Sequence, residues 1–146
     1  MAERGRVVTD SMIGLKMPDY SRISPRVATV LGQNPNPFTG PGTNTYIVGT
    51  SKRPILLDTG QGVAIYADLL ETALKELSGS SGLEQIVLTH AHIDHLGGVQ
   101  QVKEKFGEMA VSKMPWVTAK PVNERSKGAG HHSPSASKGG SSARIC

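Results

Sequence analysis

The stretch EQIVLTHAHIDHLGGVQQVKEKFG, residues 84–107, constrains the fold more than any other part of the chain. It begins with a short apolar run and continues through a loop that contains three histidines and an aspartate. It then passes two glycines and enters a stripe of apolar residues at helical spacing. This strand–loop–helix order predicts an α/β domain, because a helix that follows a strand usually packs on the sheet to which the strand belongs.

The same alternation extends along the middle of the chain. Short apolar runs bounded by turn-forming residues predict four further strands, at residues 26–31, 43–49, 54–58 and 108–112. Apolar residues three and four positions apart predict two helices, over residues 63–77 and 97–107. These elements predict a layered unit in which helices cover a sheet.

The composition divides the chain into three segments. Residues 1–25 are polar and broken by Gly14 and two prolines, which predicts an irregular N-terminal segment. Residues 26–120 contain the alternating elements and form the predicted domain. Residues 121–146 are mostly Ser, Gly, Ala and basic residues, which bury too little apolar surface to offset the entropy of ordering. We therefore expect a disordered C-terminal tail.

Composition also indicates in which cellular compartment the protein is expected. The single cysteine, Cys146, excludes a disulfide within one chain and agrees with a reducing compartment. The N-terminus lacks the apolar stretch of a signal peptide, and no segment reaches the roughly 20 apolar residues of a membrane span. We expect a cytoplasmic protein with no membrane partner. The few basic residues of the tail lack interleaved aromatics, so a solvated linker explains them better than a nucleic-acid-binding segment.

The polar loop after the predicted strand at 84–90 has the residue types of a metal site. His90 and His92 are two residues apart, so in extended chain their rings lie on the same side and are able to reach one ion. Asp94 and His95 follow next to the two glycines, where they are able to face the same pocket. Four nitrogen and oxygen ligands are more than one tetrahedral ion needs from one loop, which suggests two neighbouring ions and further ligands from elsewhere.

Two alternatives to a catalytic metal site apply to this loop. It is either a surface loop with chance histidines, in which Asp94 caps the following helix, or a structural metal site. Structural zinc sites favour cysteine and closed shells of four ligands. No cysteine lies near the loop, so an open site of the hydrolytic kind is the stronger hypothesis.

Three stretches of the sequence resemble the metallo-β-lactamase-fold hydrolases. Thr89-His90-Ala91-His92-Ile93-Asp94-His95 matches the family's histidine signature, and PILLDTG (54–60) is similar to its strand ending in Asp-Thr-Gly. VLGQNPNPFTGPGTNTYIVGT (30–50) is similar to the opening hairpin of one subgroup. That subgroup includes a β-lactamase-like endoribonuclease of single-stranded RNA and fungal thioesterases that release polyketides from acyl carriers. The resemblance covers roughly residues 26–115.

The resemblance implies a fold, a cofactor and a role for each matching residue. The fold would be the N-terminal half of an αβ/βα sandwich, and the cofactor would be two Zn²⁺ ions. His90 and His92 would bind the first ion. Asp94 and His95 would bind the second, and Asp94 would also orient the bridging hydroxide and accept its proton. Asp58 would brace the histidine loop from behind, although a strand-end aspartate bonded to nearby backbone explains that position equally well.

The resemblance further implies a function and an alternative to it. The function is metal-dependent hydrolysis of an ester, thioester or phosphodiester, with a small molecule, an acyl thioester or single-stranded RNA as substrate. Asn44 and the 33–42 loop would line the pocket rim, although ordinary turn chemistry explains their Pro and Gly residues as well.

Nothing after residue 120 resembles the family's second half, and His131 and His132 lie in the Ser/Gly tail. The alternative is therefore a truncated, catalytically incomplete fragment that retains some metal binding or binds a partner. In such a fragment an uncovered sheet face would favour self-association.

Overall fold

The computed structural model describes residues 3–9 and 14–113. Within these residues the chain forms a seven-stranded sheet whose strands lie side by side in sequence order. The strands are β1 (Glu3–Thr9), β2 (Lys16–Ser24), β3 (Val27–Leu31), β4 (Asn44–Val48), β5 (Ile55–Leu57), β6 (Gln85–Leu88) and β7 (Ala110–Lys113). The α-helices are α1 (Tyr66–Ala73), α2 (Ile93–Leu96) and α3 (Val99–Phe106).

Strand direction brings several loops to one edge of the sheet. Strands β1 to β5 pair antiparallel, whereas β5, β6 and β7 pair parallel. The parallel pairs are joined through crossovers that contain α1 and α3, as parallel neighbours require. Strands β3, β5 and β6 therefore run in the same direction and end at the same edge, which is also where β4 begins.

The hydrophobic core lies on one face of the sheet, under α1. Alternate residues of the central strands point into it, and they pack against Tyr66, Leu70 and Leu74 of the helical segment. The opposite face carries apolar side chains that are only half-buried, among them Tyr46, Val48, Ile55, Leu57 and Val87. Self-association through this second face stays a prediction.

The predicted α/β class is confirmed, and each element predicted between residues 26 and 112 is present with shifted ends. The helix predicted from Val63 begins instead at Tyr66, because the amide of Tyr66 first closes a turn onto the carbonyl of Val63. The last turn of that helix, Leu74–Ser78, is π-helical and ends at Gly79, whose φ of 65° is left-handed. Glycine adopts this conformation without steric cost.

The prediction of an irregular segment over residues 1–25 is wrong, because β1 and β2 occupy most of it. The sequence of β2 lacks a regular alternation of apolar residues, and its pairing with β3 stabilises it instead. Asp19 and Tyr20 are buried in this strand. The predicted tail, 121–146, and the end of the predicted domain lie outside the described residues. None of the helices in the described part is long and apolar enough to cross a membrane.

Candidate functional site

Backbone contacts at the edge where β5 and β6 end lock two loops together. The amide of Thr59 donates to the carbonyl of His95 at 2.8 Å, and the amide of Gly98 donates to the carbonyl of Gly60 at 3.1 Å. A Cβ on Gly98 would overlap the carbonyl oxygen of Thr59, and one on Gly97 would lie 2.6 Å from the carbonyl oxygen of Gln61. The two glycines are therefore required by close approach of backbone to backbone.

A short helix that the sequence did not predict sets the direction of two site residues. Helix α2 begins after His92, whose backbone is extended, and the carbonyl of His92 accepts hydrogen bonds from the amides of His95 and Leu96. Asp94 and His95 thus lie in the first turn of α2, whereas His90 and His92 precede it. The apolar periodicity of the chain gives no sign of so short a helix.

The four predicted metal ligands lie together as two pairs. Nε2 of His90 is 3.0 Å from Nδ1 of His92. Nε2 of His95 is 3.3 Å from Oδ2 of Asp94. The ring of His90 links the pairs, because its centroid is 4.5 Å from that of His92 and 4.1 Å from that of His95.

The donor distances fit zinc coordination. Zinc–nitrogen bonds of about 2.0–2.1 Å in a tetrahedron place neighbouring ligand atoms about 3.3 Å apart, close to the separation in both pairs. Within residues 14–113, no group of three or more His, Cys, Asp or Glu side chains converges to hold an ion by itself. Metal binding by these residues stays a prediction.

Asp58 supports His95 directly and His90 through Thr89. Its side chain is buried, and its backbone has a left-handed φ of 60°, which aspartate tolerates better than most residues. Oδ1 accepts the amide of Thr89 at 2.8 Å. Oδ2 accepts the hydroxyl of Thr89 and Nδ1–H of His95, each at 2.8 Å.

These bonds fix which ring nitrogens carry protons. A carboxylate only accepts hydrogen bonds, so His95 donates Nδ1–H to Asp58, and its Nε2 faces Asp94. Thr89 gives its only hydroxyl hydrogen to Asp58, so its oxygen accepts Nδ1–H of His90 at 2.8 Å. His90 therefore directs its Nε2 away from Thr89 and toward His92. The sequence predicted a role for Asp58 but none for Thr89, although Thr89 belongs to the histidine motif.

Asp94 is held in its ionised form. Burial acts to raise the pKa of its carboxyl, but the hydrogen bond from Thr43 and the electrostatic influence of the nearby His95 and His92 outweigh burial and lower the pKa below its ordinary value. The hydroxyl of Thr43 lies 2.9 Å from Oδ2 of Asp94. Sequence reasoning also missed Thr43, which is 51 residues away along the chain.

A pocket of about 390 Å³ adjoins the Asp94–His95 pair. Asn44 and part of the 33–42 loop line it, including Phe38, a residue that is 98% exposed. The residues expected at the rim thus lie beside one donor pair.

Comparison with known proteins places these features in a family. The model of the metallo-beta-lactamase superfamily matches residues 38–140. An atrochrysone carboxyl ACP thioesterase of Cryptosporiopsis sp. is 48% identical over 93 residues, which are 64% of this chain and 28% of the thioesterase. The lactamase-like protein ptaB of Pestalotiopsis fici is 45% identical over 94 residues, which are 64% of this chain and 29% of that protein. The chain thus spans less than a third of the length of these curated relatives.

Among solved structures, the metallo-beta-lactamase from Pontibacter korlensis is similar to this chain, with a TM-score of 0.48 and 27% identity. The similarity covers 64% of this chain and 42% of that enzyme.

Proposed function

The chain belongs to the metallo-beta-lactamase superfamily, and on this basis we propose that it is a zinc-dependent hydrolase that acts on an acyl thioester. The observation that carries the proposal is the arrangement of donor atoms in two pairs, 3.0 Å and 3.3 Å apart. Contacts of the two Nδ1 atoms with Asp58 and Thr89 leave both Nε2 atoms facing the site.

Each pair would hold one zinc ion. His90 and His92 would hold the first, and Asp94 and His95 the second. When bound, such ions lower the pKa of water and polarise the carbonyl of the substrate. The imidazoles contribute neutral ligands, and Asp94 contributes the negative charge that offsets part of the charge of the metal.

The residues around the ions would orient the reacting groups. The pKa of Asp94 lies below the already acidic value of an ordinary aspartate, so the residue is a carboxylate at neutral pH and would be able to accept a proton from an attacking water. Asp58 keeps the ring of His95 from rotating and acts on His90 through Thr89. Such outer partners commonly change metal affinity by about 10–100-fold when removed.

The names of the relatives support a thioester as substrate. The matching thioesterases of Cryptosporiopsis sp. and Claviceps purpurea are both named for an acyl group on an acyl carrier protein. The exposed ring of Phe38 at the pocket would offer an apolar surface to such an acyl group. No feature of the described residues favours single-stranded RNA, which stays a prediction without support.

Hydrolysis assays with three model substrates test the proposal. The zinc-loaded chain is offered a thioester, an oxygen ester and a phosphodiester, and the account predicts preferential turnover of the thioester that is lost in Asp94→Ala. Asp68→Ala, which removes an exposed carboxylate paired with Lys105, is the matched control and should leave turnover unchanged. Turnover that survives Asp94→Ala would contradict the proposal. Zinc binding without turnover would favour the alternative of a catalytically incomplete chain.

A further inference from the structure

The Pro/Gly-rich loop between β3 and β4 holds a buried chain of hydrogen bonds that ends on Asp94. Nδ2 of Asn34 donates to the hydroxyl of Thr43 at 3.1 Å, and that hydroxyl lies 2.9 Å from Oδ2 of Asp94. The backbone amide of Thr43 also donates to Oδ1 of Asn34 at 2.9 Å. Asn34 and Thr43 are both buried.

The donor and the acceptor of each of these hydrogen bonds follow from the hydrogens that each group carries. A backbone amide only donates, so the oxygen of the Asn34 side chain must face Thr43, and its nitrogen must face the Thr43 hydroxyl. The hydroxyl accepts from that nitrogen and has one hydrogen left, which it gives to the carboxylate of Asp94. Thr43 therefore contacts Asp94 as a fixed donor.

The loop itself keeps Asn34 in place. The carbonyl of Asn34 accepts hydrogen bonds from the side chains of Asn36 and Thr39. Asn36 in turn pairs with Gly40 in both directions through the backbone, which closes the loop. Nδ2 of Asn34 also reaches Oε1 of Gln61 at 3.3 Å, in the loop that follows β5. These contacts therefore hold the side chain of Asn34 in one orientation.

We propose that Asn34 and Thr43 are positioning residues that orient the Asp94 carboxylate for metal binding with His95. This inference rests on the proposed function, because it assigns the two residues to the second ion. It goes beyond the pocket-rim role expected of the 33–42 loop. Without the Thr43 hydrogen bond, Asp94 on the four-residue helix α2 loses the donor that a separate loop supplies to its carboxylate, and we expect the carboxylate to turn toward solvent.

Zinc titration of the full chain by calorimetry tests the inference through three variants. Thr43→Val keeps the shape of the side chain and removes the donor, so zinc affinity at the Asp94–His95 pair should fall about tenfold. Thr43→Ser restores the hydroxyl and should bind within about threefold of the parent chain. Thr45→Val is the matched control, because it removes a buried hydroxyl that bonds to Val30 and Tyr66 instead of the site.

A metal-free measurement separates this inference from the proposed function. Crystal structures of the parent chain and of Thr43→Val, both without zinc, should show the Asp94 carboxylate turned away in the variant alone. If Thr43→Val does not fold, Thr43→Cys, with its weaker donor, should give a smaller change in the same direction. An Asp94 carboxylate with the same orientation in both metal-free structures would overturn the inference. If the parent chain bound no zinc, the proposed function would fail, whereas the metal-free structures would still decide the positioning role.

Discussion

The two donor pairs of the site differ in how firmly the protein holds them. Asp94 and His95 lie on α2 with side chains only 26% and 22% exposed, and each has a buried partner, Thr43 or Asp58. His90 and His92 lie on irregular chain before α2, and His92 is exposed. His90 is anchored only indirectly, through the hydroxyl of Thr89.

The difference shows that a sequence motif does not make its members equivalent. The aspartate and last histidine are preorganised by contacts from other loops, whereas His90 is held through the neighbouring Thr89 and His92 contacts His90. Preorganised ligands lose less side-chain entropy on binding. We therefore expect the pairs to respond differently to substitutions in their supports.

Removal of Asp58 should have the largest effect, because it supports both pairs. Asp58→Ala leaves Nδ1–H of His95 and the amide and hydroxyl of Thr89 without their acceptor. Stability should fall by about 2–4 kcal/mol, and zinc affinity should fall about 10–100-fold at both pairs. Urea denaturation and a competitive zinc titration measure the two losses. An unchanged zinc affinity would mean that the histidines do not depend on Asp58.

A substitution at Gly98 should weaken zinc binding by one donor pair more than by the other. Gly98 follows α2 and packs against the backbone of Thr59 and Gly60. In Gly98→Ala the new methyl group overlaps the carbonyl oxygen of Thr59, which should destabilise the chain by about 1–3 kcal/mol. Displacement of α2 should weaken zinc binding by Asp94 and His95 more than by His90 and His92. Gly82→Ala is the matched control, since no atom lies within 4 Å of a Cβ there. Equal melting temperatures for the two variants would show that the backbone contact is not tight.

Removal of the Thr89 hydroxyl should have the smallest effect on zinc affinity and should act mainly on the His90–His92 pair. Thr89→Val cuts the link from Asp58 to His90 but keeps the bond from Asp58 to His95. Zinc affinity at the His90–His92 pair should fall by roughly tenfold or less, and Thr89→Ser should restore it. The same competitive titration measures this change. A larger loss at the Asp94–His95 pair would reverse the assignment of supports.

The sequence predicted those features of the site that depend on neighbouring residues. The spacing of His90, His92 and Asp94 was readable because the whole motif follows one strand. Asp58 was named through the resemblance to the superfamily, and the structure shows that its strand runs parallel to β6 and ends at the same edge. The resemblance to the superfamily, which the comparisons confirm, rested on the same short stretches.

Features that depend on tertiary contacts could not be predicted from the sequence. Thr43 contacts Asp94 only after β3 and β4 have paired and their loop has closed, and no local pattern marks it. The strand pairing of residues 16–24 likewise comes from β3 and not from the polar sequence of β2. Helix α2 is too short for a periodic pattern, so its placement of Asp94 and His95 appears only in the structure.

Zinc titration of the 146-residue chain tests the central claim, which is metal binding by the histidine motif. The parent chain is compared with His90→Ala/His92→Ala and with His131→Ala/His132→Ala, a control that removes two histidines outside the motif. The account predicts zinc binding by the parent and by the control, and a loss of at least about tenfold in the motif variant. Equal binding by all three proteins would contradict the account, because the motif would then contribute nothing to the site.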